Sequence, residues 1–228
     1  MKSLFSALIC ASIAIASPAL AADGTIKSVQ LSKVLLDTET IEATGKIKGG
    51  TLCVFPSKVK LDKVKKTEDY ERYEVVFADK VKGRGYRVIA TSQDLFAQND
   101  ATKMADYLVG VTVRPETINI CSSVNGFKGE IGLQVEWQIY DRAAQKVVET
   151  ATLPGKGSLL KFSNNGYEEM WNQAFGDSLI ALIKSGALKK YTGEPDAEVA
   201  AATEAAEAKA AAEAAAALAA EEALKKKR

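Results

Sequence analysis

Asp100, Asp106, Glu136 and Asp141 are the carboxylates whose surroundings could serve glycoside hydrolysis or hold a metal ion. Either chemistry needs groups held a few ångströms apart, and nothing in the sequence fixes a pair at that separation. They read as solvated or hairpin-capping groups. Gly155-Lys156-Gly157-Ser158 sets a lysine between glycines, but it lacks the spacing of a phosphate loop and opens no clear helix, so it reads as a flexible loop. Its serine belongs to no Gly-x-Ser-x-Gly elbow. The chain contains no histidine, which removes the commonest general base, the commonest metal ligand and every histidine-based triad. The expectation is a non-enzymatic protein with no catalytic residue, no metal ligand and no cofactor.

Lys58, Lys60, Lys63, Lys65 and Lys66, with Val59, Leu61 and Val64 between them, form the local basic run. It reads either as a solvated face or as a contact for an anionic envelope polymer or lipid surface. The whole chain of 228 residues carries 30 Lys and Arg against 29 Asp and Glu, a formal net charge of +1. No global field recruits nucleic acid, so nucleic acid is not expected as a partner.

The amino terminus supplies an address. Lys2, an apolar stretch from Leu4 to Ile15 and then Ser17-Pro18-Ala19-Leu20-Ala21 follow the order of a cleaved secretory signal, assigned to residues 1–21. The apolar run falls short of the roughly 20 residues that span a bilayer. Cys10 follows Ile9 rather than a small residue, and apolar sequence continues beyond it, which argues against lipidation. A mature chain starting at Ala22 or Asp23, periplasmic and without a transmembrane span, is expected. It keeps two cysteines, Cys53 and Cys121, in a compartment where thiols oxidise. Two readings stand, a Cys53–Cys121 disulfide or two buried thiols on different strands, because the distance between them is not readable from spacing.

The elements that must position these groups are readable in outline. Residues 22–48 lack a clean period and read as irregular with one or two strands. Thr51 to Pro56 is a short apolar run after Gly49-Gly50, as in a buried strand. Tyr70, Tyr73, Phe77 and Val81 recur at helical spacing with Gly83 and Gly85 behind them. Tyr86 to Ala90 reads as a strand, Asp94 to Met104 as a short helix or turn, and Tyr107 to Val113 as a strand reaching past Pro115 toward Cys121. Ile131, Leu133, Val135, Trp137 and Ile139 alternate strictly with polar positions, so one face of that strand is covered and the other is not. Gln134, Glu136, Gln138 and Tyr140 project together from the uncovered face and form the candidate partner-binding surface; a plain solvated face is the alternative. Asp141 to Gln145 turns the chain into an antiparallel strand from Lys146 to Thr152. A last helix follows, with Asn165 and Glu168 placed as a capping box and Trp171, Ala174, Phe175, Leu179, Leu182 and Ile183 as its stripe. Trp137 and Trp171 are expected in one core.

The sum is an α/β (α+β) sandwich, with a mixed sheet of about four to five strands and helices on one face, over residues 49–193. Residues 194–228 are almost all Ala and Glu before Lys225-Lys226-Lys227-Arg228. They read as a low-complexity helical tail, capped by Asp196, that is either a solvated helix or a spacer reaching roughly 50 Å.

Gly85-Tyr86-Arg87-Val88-Ile89, Asp106-Tyr107-Leu108-Val109-Gly110-Val111 and Trp137-Gln138-Ile139-Tyr140-Asp141 before Lys146-Val147-Val148 occur in an order that resembles a known envelope module. It is the fold shared by the curli-secretion lipoprotein, the lipoprotein activator of a penicillin-binding protein, the amino-terminal domain of the Tol-system periplasmic protein and a flagellar ring protein. The resemblance covers roughly residues 49–190 and implies a periplasmic binding or assembly module without catalysis. A lipidated cysteine and an obvious membrane-inserting hairpin are missing from this chain, so a pore role does not carry over. The expected partner is an envelope protein or a peptidoglycan-associated one, with a homo-oligomer as a further option. The alternatives are a noncatalytic domain associated with a secreted peptidase and, third, an envelope hydrolase using carboxylates.

Overall fold

The computed structural model describes residues 26–37, 44–50, 52–57, 70–89 and 104–226. Residues 1–21, read as a signal, residues 94–103, read as a short helix or turn, and the five lysines Lys58, Lys60, Lys63, Lys65 and Lys66 lie outside the described residues. In chain order come β1 (Val29–Leu36), β2 (Thr44–Gly49), β3 (Phe55–Ser57), α1 (Tyr70–Gly83), β4 (Tyr107–Ser123), β5 (Gly126–Asp141), β6 (Lys146–Ser163), α2 (Gly166–Lys184), α3 (Ala187–Thr192) and α4 (Ala197–Lys226). The strands form one six-stranded mixed sheet, with β3-β2-β4-β5-β6 in order and β1 on β4. The α/β sandwich with helices on one face and a C-terminal helix is therefore the architecture.

β4 organises the sheet. Its first half pairs in parallel with β1 and its second half in parallel with β2, while β5 runs antiparallel along its whole length. Between the two parallel partners stands Pro115, which has no N–H to give a ladder, and the register against β5 shifts between Pro115 and Thr117. The bulge reverses the phase of β4. Val109, Val111 and Val113 face the helices before it, and Ile118 and Ile120 after it. On β5 the alternation is as clean as the sequence implies: Ile131, Leu133, Val135, Trp137 and Ile139 are all 0% exposed.

α1 buries Tyr73, Phe77 and Val81, and α2 buries Met170, Trp171, Ala174, Phe175, Leu179 and Leu182. The two helices meet where the Phe175 ring lies 4.6 Å from Tyr73 and 5.2 Å from Trp137. Both tryptophans belong to this core. Ser178 is its buried polar group: its hydroxyl accepts from Trp137 Nε1 at 2.9 Å and donates to the Leu153 carbonyl at 3.1 Å, so neither is left unpaired.

Several expectations are corrected. The buried strand read over Thr51 to Pro56 is corrected over its described residues: Leu52 and Cys53 lie on a turn after Gly50 (φ +84°), and pairing begins only at Phe55. Of the strand read over Tyr86 to Ala90, the described residues Tyr86 to Ile89 make a single bridge, Val88 to Val29. The one or two strands read within residues 22–48 are β1 and β2, and both lie in the main sheet rather than outside the domain begun at residue 49. The strand after the hairpin runs on to Ser163, so Gly155 to Ser158 is strand and not a flexible loop. Its glycines are there because α2 crosses directly above: a Cβ on Gly155 or Gly157 would collide with the carbonyl oxygen of Ala174 or Met170. Asn165 holds the N-cap position of α2, but its side chain makes no capping bond, and Glu169 instead accepts from the Ser163 hydroxyl at 2.6 Å.

Asp196 does cap α4, accepting from the backbone of Glu198 and Val199. The tail is not free over its first turns. Asp196 N–H donates to the Gly85 carbonyl, and α4 then runs along α1, where Arg84 meets Glu204 and Glu207, and Lys80 meets Glu207 at 2.9 Å. Among the described residues no helix is long and apolar enough to cross a membrane.

Candidate functional site

Because the helices cover one face of a strictly alternating strand, the other face of β5 carries Gln134, Glu136, Gln138 and Tyr140 side by side, all partly exposed. The register supplies their neighbours. Arg114, Thr112, Gly110 and Leu108 lie opposite on β4, and Pro154, Thr152, Thr150 and Val147 on β6. Arg114 ties this half of the face together. Its Nε donates to Asp37 at 3.0 Å and its Nη1 to Glu136 at 3.2 Å, while Gln138 Nε2 donates to the other oxygen of Glu136 at 2.8 Å. The hydrogen bonds it donates to Asp37 and then to Glu136 raise the guanidinium's affinity for its proton, so the ion pair is fixed. What remains is a flat array of amide, hydroxyl and phenol groups on a rigid floor. It can recognise a surface by hydrogen bonds, and its one carboxylate is already engaged.

Asp106 and Asp141, also singled out in the sequence, hold backbone groups in place. Asp106 accepts from the Ser28 N–H and hydroxyl, both at 2.7 Å; burial raises its pKa, but these bonds and the Lys27 charge outweigh that and leave it below the usual aspartate range. Asp141 accepts from the Ala144 N–H within the hairpin turn. Asp100 lies outside the described residues. Among the described residues no cluster of three or more Cys, Asp and Glu could hold a metal ion.

Toward the other end of the same face the surface is concave and basic. A cavity of ≈ 590 Å³ opens between β2, β4, β5 and β6, lined by Lys46, Lys48, Lys128 and Lys156 with Glu130 as its one acidic group. Glu130 pairs with Lys156 at 3.0 Å. Lys128 lies over the Phe162 ring, 4.5 Å from its centre. At one side of the cavity is the Cys53–Cys121 disulfide, with Cα atoms 5.5 Å apart across 68 residues of chain. The alternative of two buried thiols is thereby set aside. Cys121 sits between Lys48 on β2 and Lys128 on β5 in register, so the bridge fastens the turn after β2 to the strand at the middle of the basic surface.

This cavity was not legible beforehand. Lys46 and Lys48 alternate around Ile47, which hints at a shared face, but their meeting with Lys128 and Lys156 depends on β2 pairing with β4 more than 70 residues away and on β5 pairing with both β4 and β6.

The β6 edge of the sheet is engaged in part by side chains of the helices. Along β6 the outward Lys156 N–H donates to Asp177 at 3.1 Å and the Ser158 N–H to Gln173 at 3.0 Å, both from α2. Nearer the hairpin, the Tyr191 hydroxyl donates to the Val148 carbonyl at 2.6 Å. Lys190, its pKa pushed up to about 12 by Tyr191 and Glu149, is held beside it. A strand that offers its edge groups to helix side chains offers few to a partner.

No protein-family model matches the chain, and no curated protein matches it. Solved structures with a similar chain course include a Xanthomonas campestris protein of the family described as DUF330, 11% identical, with 74% of this chain and 90% of that chain covered and a TM-score of 0.41. The PelC dodecamer from Paraburkholderia phytofirmans is 17% identical, with 67% and 86% covered and a TM-score of 0.33. A minor lipoprotein from Acinetobacter baumannii is 17% identical, with 72% and 94% covered and a TM-score of 0.33. At these values the likeness is one of chain course and not of function.

Proposed function

We propose that the protein is a non-enzymatic accessory module of the cell envelope, exported by a signal at residues 1–21, that holds an envelope protein or a peptidoglycan-associated partner on the open face of its sheet. The observation that carries this reading is the polar array of Gln134, Glu136, Gln138 and Tyr140, left partly exposed on a strand whose other face is wholly buried. A partly engaged β6 edge favours the face over strand addition as the mode of contact. Tyr140 at the rim combines apolar area with a hydrogen-bonding tip, and the Arg114–Glu136 pair spares a partner the cost of ordering those side chains. In-cell photocrosslinking from position 138, with Val75 on the exposed side of α1 as the reference position, tests it. A protein captured from 138 and not from 75, and lost in Gln134→Ala/Tyr140→Ala, is the expected result. Retention of every crosslinked product in the double variant overturns the reading. Amino-terminal sequencing of the exported chain tests the address, with Ala22 or Asp23 expected as the first residue.

A further inference from the structure

At the end of the sheet beyond the basic cavity, the turn after β2 and the hairpin between β4 and β5 stand side by side. The Gly50 N–H donates to the Ser122 carbonyl at 2.9 Å, and the Cys53–Cys121 disulfide locks the two together. Turns of this kind ordinarily carry polar residues. Here Leu52 is 83% exposed, Val54 61%, Phe55 71% and Val124 95%. Four large apolar side chains thus stand exposed at this end, Leu52 and Val54 on the turn segment after β2, Phe55 at the start of β3 and Val124 in the β4–β5 hairpin, and Lys48 and Lys128 flank the disulfide immediately behind them, with Lys46 two residues further along β2. Along a strand that is a step of roughly 7 Å. Among the described residues Lys46 and Lys48 make no ion pair.

We propose that this end of the molecule docks on the surface of an anionic phospholipid bilayer, with Leu52, Val54, Phe55 and Val124 entering the boundary between headgroups and acyl chains while Lys46, Lys48 and Lys128 contact lipid phosphates. Charge complementarity selects this occupant. A second copy of the chain meeting the same end would set these lysines against their own counterparts. Protruding turn tips also need a surface that yields around them, which a fluid interface does and a second folded surface does only with a matching groove. The disulfide has a clear part in this arrangement, because it holds the apolar turn in place before contact and so lowers the ordering cost of insertion. The site uses residues distinct from the Gln134–Tyr140 array, so it stands or falls apart from the partner reading.

The test is flotation of the full mature chain with vesicles of phosphatidylcholine containing about one-third phosphatidylglycerol, against vesicles of phosphatidylcholine alone, at low and at 0.5 M salt. Binding to the anionic vesicles that weakens with salt is expected. Lys48→Glu/Lys128→Glu should lower the partition coefficient by at least about 25-fold, at roughly fivefold per lysine removed. Leu52→Ser/Val124→Ser should lower it at either salt concentration, and its melting temperature, which should match the parent for residues this exposed, shows that folding is intact. Phe55→Trp supplies an independent readout, since its emission should shift to the blue on the anionic vesicles. No flotation of the parent chain at low salt, or flotation unchanged in Leu52→Ser/Val124→Ser, overturns the proposal. So does a parent chain that sediments as a dimer, ignores vesicles and becomes monomeric in that variant, because the tips would then be an interface between copies.

Discussion

Gly157→Ala is the sharpest test of the way α2 lies on the sheet. Gly157 is on β6, and a Cβ built there would strike the Met170 carbonyl oxygen and lie 2.9 Å from the Ala174 nitrogen, both backbone atoms of a helix that cannot yield by changing a rotamer. Relief requires lifting α2 or bending β6. Overpacking of this kind costs about 1–3 kcal/mol by itself. Lifting α2 also stretches the bonds from Lys156 N–H to Asp177, from Ser158 N–H to Gln173 and from Trp137 to Ser178. Hydrogen bonds contribute about 1 kcal/mol each, with the exposed ones at the low end. The total is about 3–5 kcal/mol, a fall in Tm of roughly 6–20 °C for a domain of this size. Gly110→Ala is the matched control: it lies on the open face of β4, nothing stands within 4 Å of the added Cβ, and alanine is favoured in a strand interior by up to about 1 kcal/mol. Thermal unfolding followed by circular dichroism compares the two. If Gly157→Ala melts within about 2 °C of the parent and of Gly110→Ala, the helix does not ride on β6 as described.

The same core makes Trp137→Ala destabilising by about 3–5 kcal/mol and Ser178→Ala by about 1–3, the latter through an indole N–H buried without a partner; in Trp137→Phe/Ser178→Ala the second loss should largely vanish in a double-mutant cycle. Removing the bridge with Cys53→Ser/Cys121→Ser should lower stability by about 4 kcal/mol, the chain-entropy value for a 68-residue separation, and the native chain should weigh about 2 Da less than the reduced one. Asp106 has a pKa lowered in the folded state, so its stabilisation is fully present above the ordinary aspartate value of about 3.9 and is lost as the pH falls through the lower folded value. Asp106→Asn should accordingly be the less stable protein at pH 7, with the gap closing in acid unfolding curves as the pH falls past the ordinary aspartate value toward the lower folded one. A chain ending at Thr192 should still fold, because the core closes at Leu188 and Tyr191, yet melt a few degrees lower, since it leaves Arg84 and Lys80 without Glu204 and Glu207. Loss of cooperative melting in that truncation would make α4 part of the core.

What could be read from the chain alone is what depends on near neighbours in sequence. A residue on β5 faces the side opposite to the next one whatever the strand pairs with, so the alternation from Ile131 to Tyr140 announced both the buried face and the polar array. The stripes of α1 and α2, the hairpin at Asp141 to Gln145 and the Asp196 cap are local in the same sense. Errors came where local composition has two outcomes. Leu52 to Phe55 is as apolar as a buried strand, and only the absence of a covering layer leaves it exposed on a turn; Gly155 to Ser158 is as glycine-rich as a loop, and only the approach of α2 makes those glycines the floor under a helix. Tertiary pairing alone decided the rest. Cys53 reaches Cys121 and Lys46 and Lys48 share a surface with Lys128 and Lys156 because β2 and β5 both settle beside the second half of β4, past the Pro115 bulge at which the register of β5 against β4 shifts. That register is chosen by the burial of the whole sheet face at once, a sum over residues far apart in sequence, which no short window of the chain contains.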